Sequence, residues 1–223
     1  KKIQMIKTIH RHTFREDLLI KGGYVLDLGC SDFIFTRYML ENEMKVISLD
    51  PRKNIYVFED LLTNPNFTFL EKACVGVKNG DAVPYHTYQH WGSNSLINTP
   101  EMLSNETNLG HSKNPFKETY NVKVTTIAEI MSEFNIDKFE LIKMDVEGME
   151  YEILSNLPDN CSKQLSIEFH DFLSLNPSDD IEGYHIDLLK NNLPTYKVEY
   201  EDKSPLNRFK NAFQRDDVLY IEK

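Results

Sequence analysis

The stretch LIKMDVEGMEYEIL, residues 141–154, is an apolar run that stops at Asp145 and Glu147, crosses Gly148 and resumes with helix-like spacing. The run reads as a buried strand and the continuation as a helix entered through a glycine turn. YVLDLGCSD, residues 24–32, has the same grammar: an apolar run led by Gly22-Gly23, a carboxylate at Asp27, and a turn at Gly29. Beyond it, Ile34, Phe35, Tyr38 and Met39 share one helical side, and Ser31 or Asp32 is placed to cap that helix. Strand and helix then alternate. KVISLD (45–50) is a second strand, a weaker helix carries Val57, Phe58, Leu61 and Leu62, and NFTFLEKACVGV is expected to be a third strand. Thr126 and Glu129 form a capping box before TIAEIMSEF, FELIKMD is the fourth strand, and KQLSIEFHDF is the fifth. A helix at 181–191 and the strands TYKVEY and DDVLYIEK follow. This order predicts an α/β, doubly wound, mostly parallel Rossmann-like sheet with an antiparallel C-terminal strand. The expected organisation is one domain over 1–223, with a helical N-terminal segment over 1–20. A hairpin or lid is inserted at about 78–121, where Asn, Ser, Thr, Gly and Pro accumulate around Trp91.

Four carboxylate groups end strands at one rim of such a sheet: Asp27, Asp50, Asp145, and the set Glu168 to Asp171. Any one of them could simply cap the next helix. Together they point to a ligand site beyond the carboxyl ends of the strands. Asp50 follows Asp27 by about the 20 residues that separate a glycine turn from a ribose-binding acid. A dinucleotide needs further glycines at the pyrophosphate, and here only Gly29 is present, with Ser31 and Phe33 beyond it. The loop instead suits a phosphate-free, cationic nucleoside such as S-adenosylmethionine.

The same residues resemble the FkbM family of S-adenosylmethionine-dependent methyltransferases. VLDLGCSDFIFT is similar to the family's Val-Asp-x-Gly-Ala-Asn-x-Gly motif, SLDP to its acid-Pro strand end, ACVGVKNG to its AVG segment, and NSL to a Ser-Leu after a hairpin. The block VTTIAEIMSEFNIDKFELIKMDVEGMEYEIL carries its Lys-x-Asp-x-Glu-Gly-x-Glu pattern, and the similarity runs from about 24 to 171. Phe33 replaces a usual glycine, Cys30-Ser31 replace Ala-Asn, and Asp50 replaces Glu.

The resemblance implies a class I methyltransferase fold and O-methylation of a small-molecule or glycan acceptor. Asp27, Gly29, Cys30 and Ser31 would hold the methionine moiety, Asp50 with Pro51 the ribose, and Cys74 would lie near the adenine. Asp145 and Glu147 would face the transfer region with His170 as general base, or Asp145 with Glu168, His170 or Asp171 would hold Mg²⁺. His86, His90, Trp91 and His111 either line an acceptor pocket or cover a sheet edge. His10-x-His12 falls in a short basic segment that reads as solvated rather than chelating.

A net charge of −10 disfavours a nucleic-acid partner, and no apolar run is long enough to span a membrane. Three widely spaced cysteines suit a reducing, cytoplasmic setting. Two other functions fit the fold: a nucleoside-binding module without transfer activity, and an NAD-dependent oxidoreductase, which the missing GxGxxG loop opposes.

Overall fold

A computed structural model describes residues 5–53, 55–88, 94–97, 116–170, 181–205 and 213–223. The chain opens with a hairpin of β1 (Ile6–Ile9) and β2 (His12–Arg15) followed by a 3-10 turn at Glu16–Leu18. β3 (Tyr24–Leu28), α1 (Ile34–Glu41), β4 (Lys45–Leu49), α2 (Glu59–Leu62) and β5 (Phe67–Leu70) build half of the main sheet. β6 (Ala73–Cys74), β7 (Ala82–Tyr88) and β8 (Phe116–Thr125) form a separate three-stranded sheet in the order β6-β8-β7. α3 (Ile127–Phe134), β9 (Leu141–Met144), α4 (Glu150–Ser155), β10 (Gln164–Ile167), α5 (Ile181–Asn191), β11 (Tyr196–Pro205) and β12 (Phe213–Glu222) complete the chain.

The main sheet has the order β11-β12-β10-β9-β3-β4-β5. β5, β4, β3, β9 and β10 run parallel, while β12 is antiparallel to both β10 and β11. The chain builds outward from β3 to β5, then returns to lay β9 on the other side of β3. That reversal opens a crevice at the carboxyl ends of β3 and β9, where doubly wound sheets bind ligands. Leu26, Leu28, Ile142, Met144, Leu165 and Ile167 pack with Ile127 and Ile130 of α3 on one face. Val25, Val46 and Leu141 pack with Phe35 and Met39 of α1 on the other. The central strands are buried on both sides, which is why they read as near-continuous apolar runs. No helix among the described residues is long and apolar enough to cross a membrane.

Three expectations are corrected. The N-terminal segment is a β-hairpin, not a helix: its β-branched residues Ile6, Thr8, Ile9 and Thr13 suit a pleated surface, and tertiary anchors fix it. Phe14 is fully buried against Phe35 and Tyr38, the Arg15 N–H donates to Gln164 Oε1 at 2.8 Å, and the Thr13 N–H donates to Asp217 Oδ1 at 3.2 Å. NFTFLEKACVGV breaks into β5 and β6, which belong to different sheets. The N-cap of α1 is Phe33 rather than Ser31 or Asp32, although Asp32 Oδ1 still accepts from the Ile34 N–H at 3.1 Å. The capping box of α3 is present, with Thr126 Oγ1 accepting from the Glu129 N–H and Glu129 Oε2 from the Thr126 N–H.

Candidate active site

Strand alternation decides which carboxylates can reach a ligand. On β3, Leu26 and Leu28 point to the α3 face, so Val25 and Asp27 point to the α1 face. Asp27 is therefore fully buried under α1, where Thr36 Oγ1 donates to its Oδ2 at 2.6 Å. Its register partner on β9 is Lys143, whose Nζ lies 3.2 Å from Asp27 Oδ1 and donates to the Gly29 carbonyl at 2.7 Å. Burial alone would depress the Lys143 pKa, but Asp27 and Asp145 reverse this and raise it. Asp27 does not line the crevice. It holds Lys143, and Lys143 holds the glycine turn.

That turn is set by contact as well as by conformation. Gly29 has φ +76, and a Cβ there would stand 1.8 Å from the Asp145 carbonyl oxygen, because the turns after β3 and β9 cross. The Gly29 and Cys30 N–H groups donate to the Leu49 carbonyl at 2.9 and 3.1 Å. Ser31 (φ +49) and Phe33 (φ +63) are also left-handed, at the positions where the family motif has Asn and Gly. A bulky residue held there costs about 1–3 kcal/mol. Full burial of the Phe33 ring against Phe67 and Phe69 is worth about 1.5–3 kcal/mol and offsets it. The ring thus packs away from the crevice.

The crevice is a cavity of about 350 Å³. Gly29, Cys30 and Ser31 line one side, with Asp50, Pro51, Arg52 and Cys74 beside them. Asp145, Glu147 and Glu168 line the opposite end, under the hairpin tip His10–His12. Nine of the residues expected from sequence therefore share one cavity. Asp27 and His170 lie behind its wall. Asp171, His90, Trp91 and His111 fall outside the described residues. His86 lies on β7 with its Nδ1 2.8 Å from Thr119 Oγ1 and does not line the cavity.

Asp50 is gripped by Arg52, with Nε to Oδ1 at 2.8 Å and Nη2 to Oδ2 at 2.7 Å, while the Ser31 N–H approaches Oδ2 at 3.3 Å. Cys30 and Cys74 are buried; burial, reinforced by nearby carboxylates, raises both thiol pKa values, Cys74 to about 12, so neither acts as a nucleophile.

The opposite end is crowded with acid. His170 Nδ1 lies 2.8 Å from Glu150 Oε1, and its Nε2 lies 3.4 Å from Glu147 Oε2 and 3.8 Å from Asp145 Oδ1. Both oxygens of the fully buried Glu150 accept from the Gly148 N–H at 3.1 Å. Burial would lower the His170 pKa, yet Glu147, Glu150 and Asp145 raise it well above its usual value. His170, the general base expected from sequence, lies behind the wall, where these carboxylates favour its protonated form. Burial, then the Asp145, Glu150 and Glu168 charges, push Glu147 up to about 8 against the pull of His170. Burial and Asp145 push Glu168 to about 7. Asp145 is the exception: burial opposes its charge, but Lys143, His12 and His170 hold it low.

Three contributors escaped the sequence. His12 is buried with Nε2 3.9 Å from Asp145 Oδ2, and burial lowers its pKa to about 4. Nothing in its basic surroundings signals this, because the hairpin approaches β10 only in the tertiary fold. Arg52 follows Asp50 by two and was readable as its partner. Ser95, in NSL, donates its Oγ to the Glu147 carbonyl at 2.5 Å and exchanges backbone hydrogen bonds with His86. This ties the inserted hairpin to the Asp145–Glu147 turn, where Glu147 is held at φ +52.

Comparison with known proteins decides the family. The FkbM methyltransferase domain model matches residues 29–190. The chain belongs to the FkbM methyltransferase family. No curated protein sequence matches this chain. Among solved structures, a hemolysin candidate from Streptococcus thermophilus is 14% identical with a TM-score of 0.45, covering 93% of this chain and 61% of its own. This chain thus spans less than two thirds of that protein's length. A TehB-like SAM-dependent methyltransferase from Corynebacterium glutamicum is 12% identical (TM-score 0.43, covering 93% and 84%). A 1,6-didemethyltoxoflavin-N1-methyltransferase from Burkholderia thailandensis, with S-adenosylhomocysteine bound, is 10% identical (TM-score 0.42, covering 91% and 72%). At those scores the assignment rests on the family model.

Proposed function

We propose that the protein moves a methyl group from S-adenosylmethionine to a hydroxyl of a small-molecule or glycan acceptor. The observation that carries this is the meeting, in one cavity of about 350 Å³, of the Gly29 turn, the Asp50 carboxylate and the Asp145–Glu147 turn. That volume suits a ligand of nucleoside size. The residues fit the cofactor: the open Gly29–Ser31 backbone can receive an amino-acid head, Asp50 can accept ribose hydroxyls, and the acidic end favours a cation. When bound, the cofactor supplies an electrophilic methyl on a sulfonium.

The protein's own contribution is alignment and proton removal. Arg52 keeps Asp50 against the Ser31 turn, so the carboxylate is positioned before ligand arrives. Asp145 and Glu147 line the end where an acceptor hydroxyl would lose its proton, and His170 and Glu150 hold them from behind. The three cysteines are buried and unlinked, which supports a reducing, cytoplasmic setting.

Calorimetric titration with S-adenosylhomocysteine, on the wild type and on Asp50→Ala, tests the cofactor. Micromolar binding weakened at least tenfold by the substitution is expected, and no binding to the wild type would overturn the assignment. Release of S-adenosylhomocysteine from S-adenosylmethionine across a panel of hydroxyl, amine and RNA acceptors tests the reaction. Cofactor binding without turnover on any of them would favour the inactive nucleoside-binding module.

A further inference from the structure

We infer that Asp145, Glu147 and His170 form a seat for one divalent transition-metal ion at the acidic end of the cavity. One nitrogen and two carboxylate oxygens from these residues lie within 4.8 Å of one another. His170 Nε2 is 3.4 Å from Glu147 Oε2 and 3.8 Å from Asp145 Oδ1. Ligand atoms bound about 2.0–2.2 Å from one ion stand about 3–3.6 Å apart, so the His170–Glu147 separation is already of that size and the His170–Asp145 separation exceeds it slightly.

The far side of the ring supports the assignment. A metal-binding imidazole usually gives its other nitrogen to a carboxylate, which fixes the tautomer and aims the lone pair. His170 Nδ1 meets Glu150 Oε1 at 2.8 Å, and Glu150 is itself fixed by the Gly148 N–H. The charge balance points the same way. Asp145, Glu147, Glu150 and Glu168 crowd into one partly buried corner around the His170 ring, and among the described residues the buried lysine that reaches it, Lys143, also serves Asp27. An added dication would relieve that excess. An imidazole nitrogen in the set favours Mn²⁺, Fe²⁺, Co²⁺ or Zn²⁺ over the Mg²⁺ expected from sequence, which prefers oxygen and water. On the methyltransferase assignment above, the ion would lower the pKa of an acceptor hydroxyl bound beside it, but the seat itself needs no cofactor to be tested.

The experiment is calorimetric titration of chelator-stripped protein with Mn²⁺, Co²⁺, Zn²⁺ and Mg²⁺, with cobalt absorption as a spectroscopic readout. One ion per chain is expected, with Mg²⁺ at least tenfold weaker than Mn²⁺. Glu147→Gln and His170→Ala should each weaken binding at least tenfold. Glu150→Gln, which positions the ring without touching the ion, should weaken it by about 10–100-fold. Glu147→Gln changes no shape, and its thermal melt guards against simple unfolding. Absence of saturable binding overturns the proposal. So does binding that survives Glu147→Gln and His170→Ala but is lost in His12→Ala and Glu168→Gln, which would move the ion to the neighbouring cluster of His12, Asp145 and Glu168. Titration of metal-free protein with S-adenosylhomocysteine separates the two assignments: cofactor binding without metal binding leaves the methyltransferase standing, and the converse leaves only the metal seat.

Discussion

The two ends of the cavity use carboxylates in opposite ways. At the β3–β4 end the two strand-end acids face a cation closely: Asp27 faces Lys143 and Asp50 faces Arg52, at 3.2 and 2.7 Å. At the β9–β10 end, among the described residues, four acids share His170, part of Lys143, and the exposed Arg11, which stands 3.6 Å from Glu168. Matched pairs hold a shape, so the first end is built before ligand arrives. Unmatched acids in a low-dielectric corner hold a charge deficit that substrate, cofactor or ion can answer, which is the usual condition of a reactive site.

Gly29→Ala would break the comparison most completely, because it severs the crossing that joins the two ends. A Cβ at 1.8 Å from the Asp145 carbonyl, on a backbone at φ +76, should destabilise by about 3–5 kcal/mol, read by urea denaturation. A change under about 1 kcal/mol would mean that the turns do not cross as described.

Next is the matched pair. Lys143→Met leaves Asp27 buried without its cation and should cost about 3–5 kcal/mol, whereas adding Asp27→Asn should recover a large part. No recovery would show that Lys143 acts through the Gly29 carbonyl instead.

The unmatched end should answer in rate rather than stability. Glu147→Gln should leave the melting temperature within a few degrees and S-adenosylhomocysteine affinity within about threefold, while kcat falls by about 10²–10⁴. An unchanged kcat would remove Glu147 from the transfer region.

The smallest effect comes from an acid outside the cavity that has a backbone donor and, among the described residues, no ion-pair partner. Burial raises Asp217 to about 6 from 3.8, against the Thr13 N–H, which works to lower it. A carboxyl with a raised folded pKa lends its stability at low pH and loses it as pH rises from about 4 to about 6. Asp217→Asn should therefore stabilise by about 1–2 kcal/mol at pH 7 and have almost no effect at pH 3.5. Equal melting shifts at both values would show that the charge is not the cause.

Much of the site was legible because turns and strand ends are local. The glycine turn, Asp50 after the second strand, and the Asp145–Glu147 turn all fell where the apolar runs said they would. Asp27 was misplaced although the signal was present: counting alternate positions from Val25 turns it to the α1 face, beside Lys143. His170 is shaped by neighbours that its own strand does not show. Its ordinary pKa suggested a base, and three carboxylates from a turn twenty residues away raise that pKa. His12 left no local trace, since its partner Asp145 lies 133 positions on and meets it only after the hairpin docks on β10 and β12.

By itself the sequence determined the alternation of elements, the α3 cap, and the rim at which acids collect, because periodicity, capping and turn chemistry act over a few residues. Tertiary structure alone decided which acids face the cavity and which carry charge. Those properties depend on strand register and on cations brought from the hairpin, β9 and β10, and an electrostatic neighbour in a buried site is set by distance in space, not along the chain.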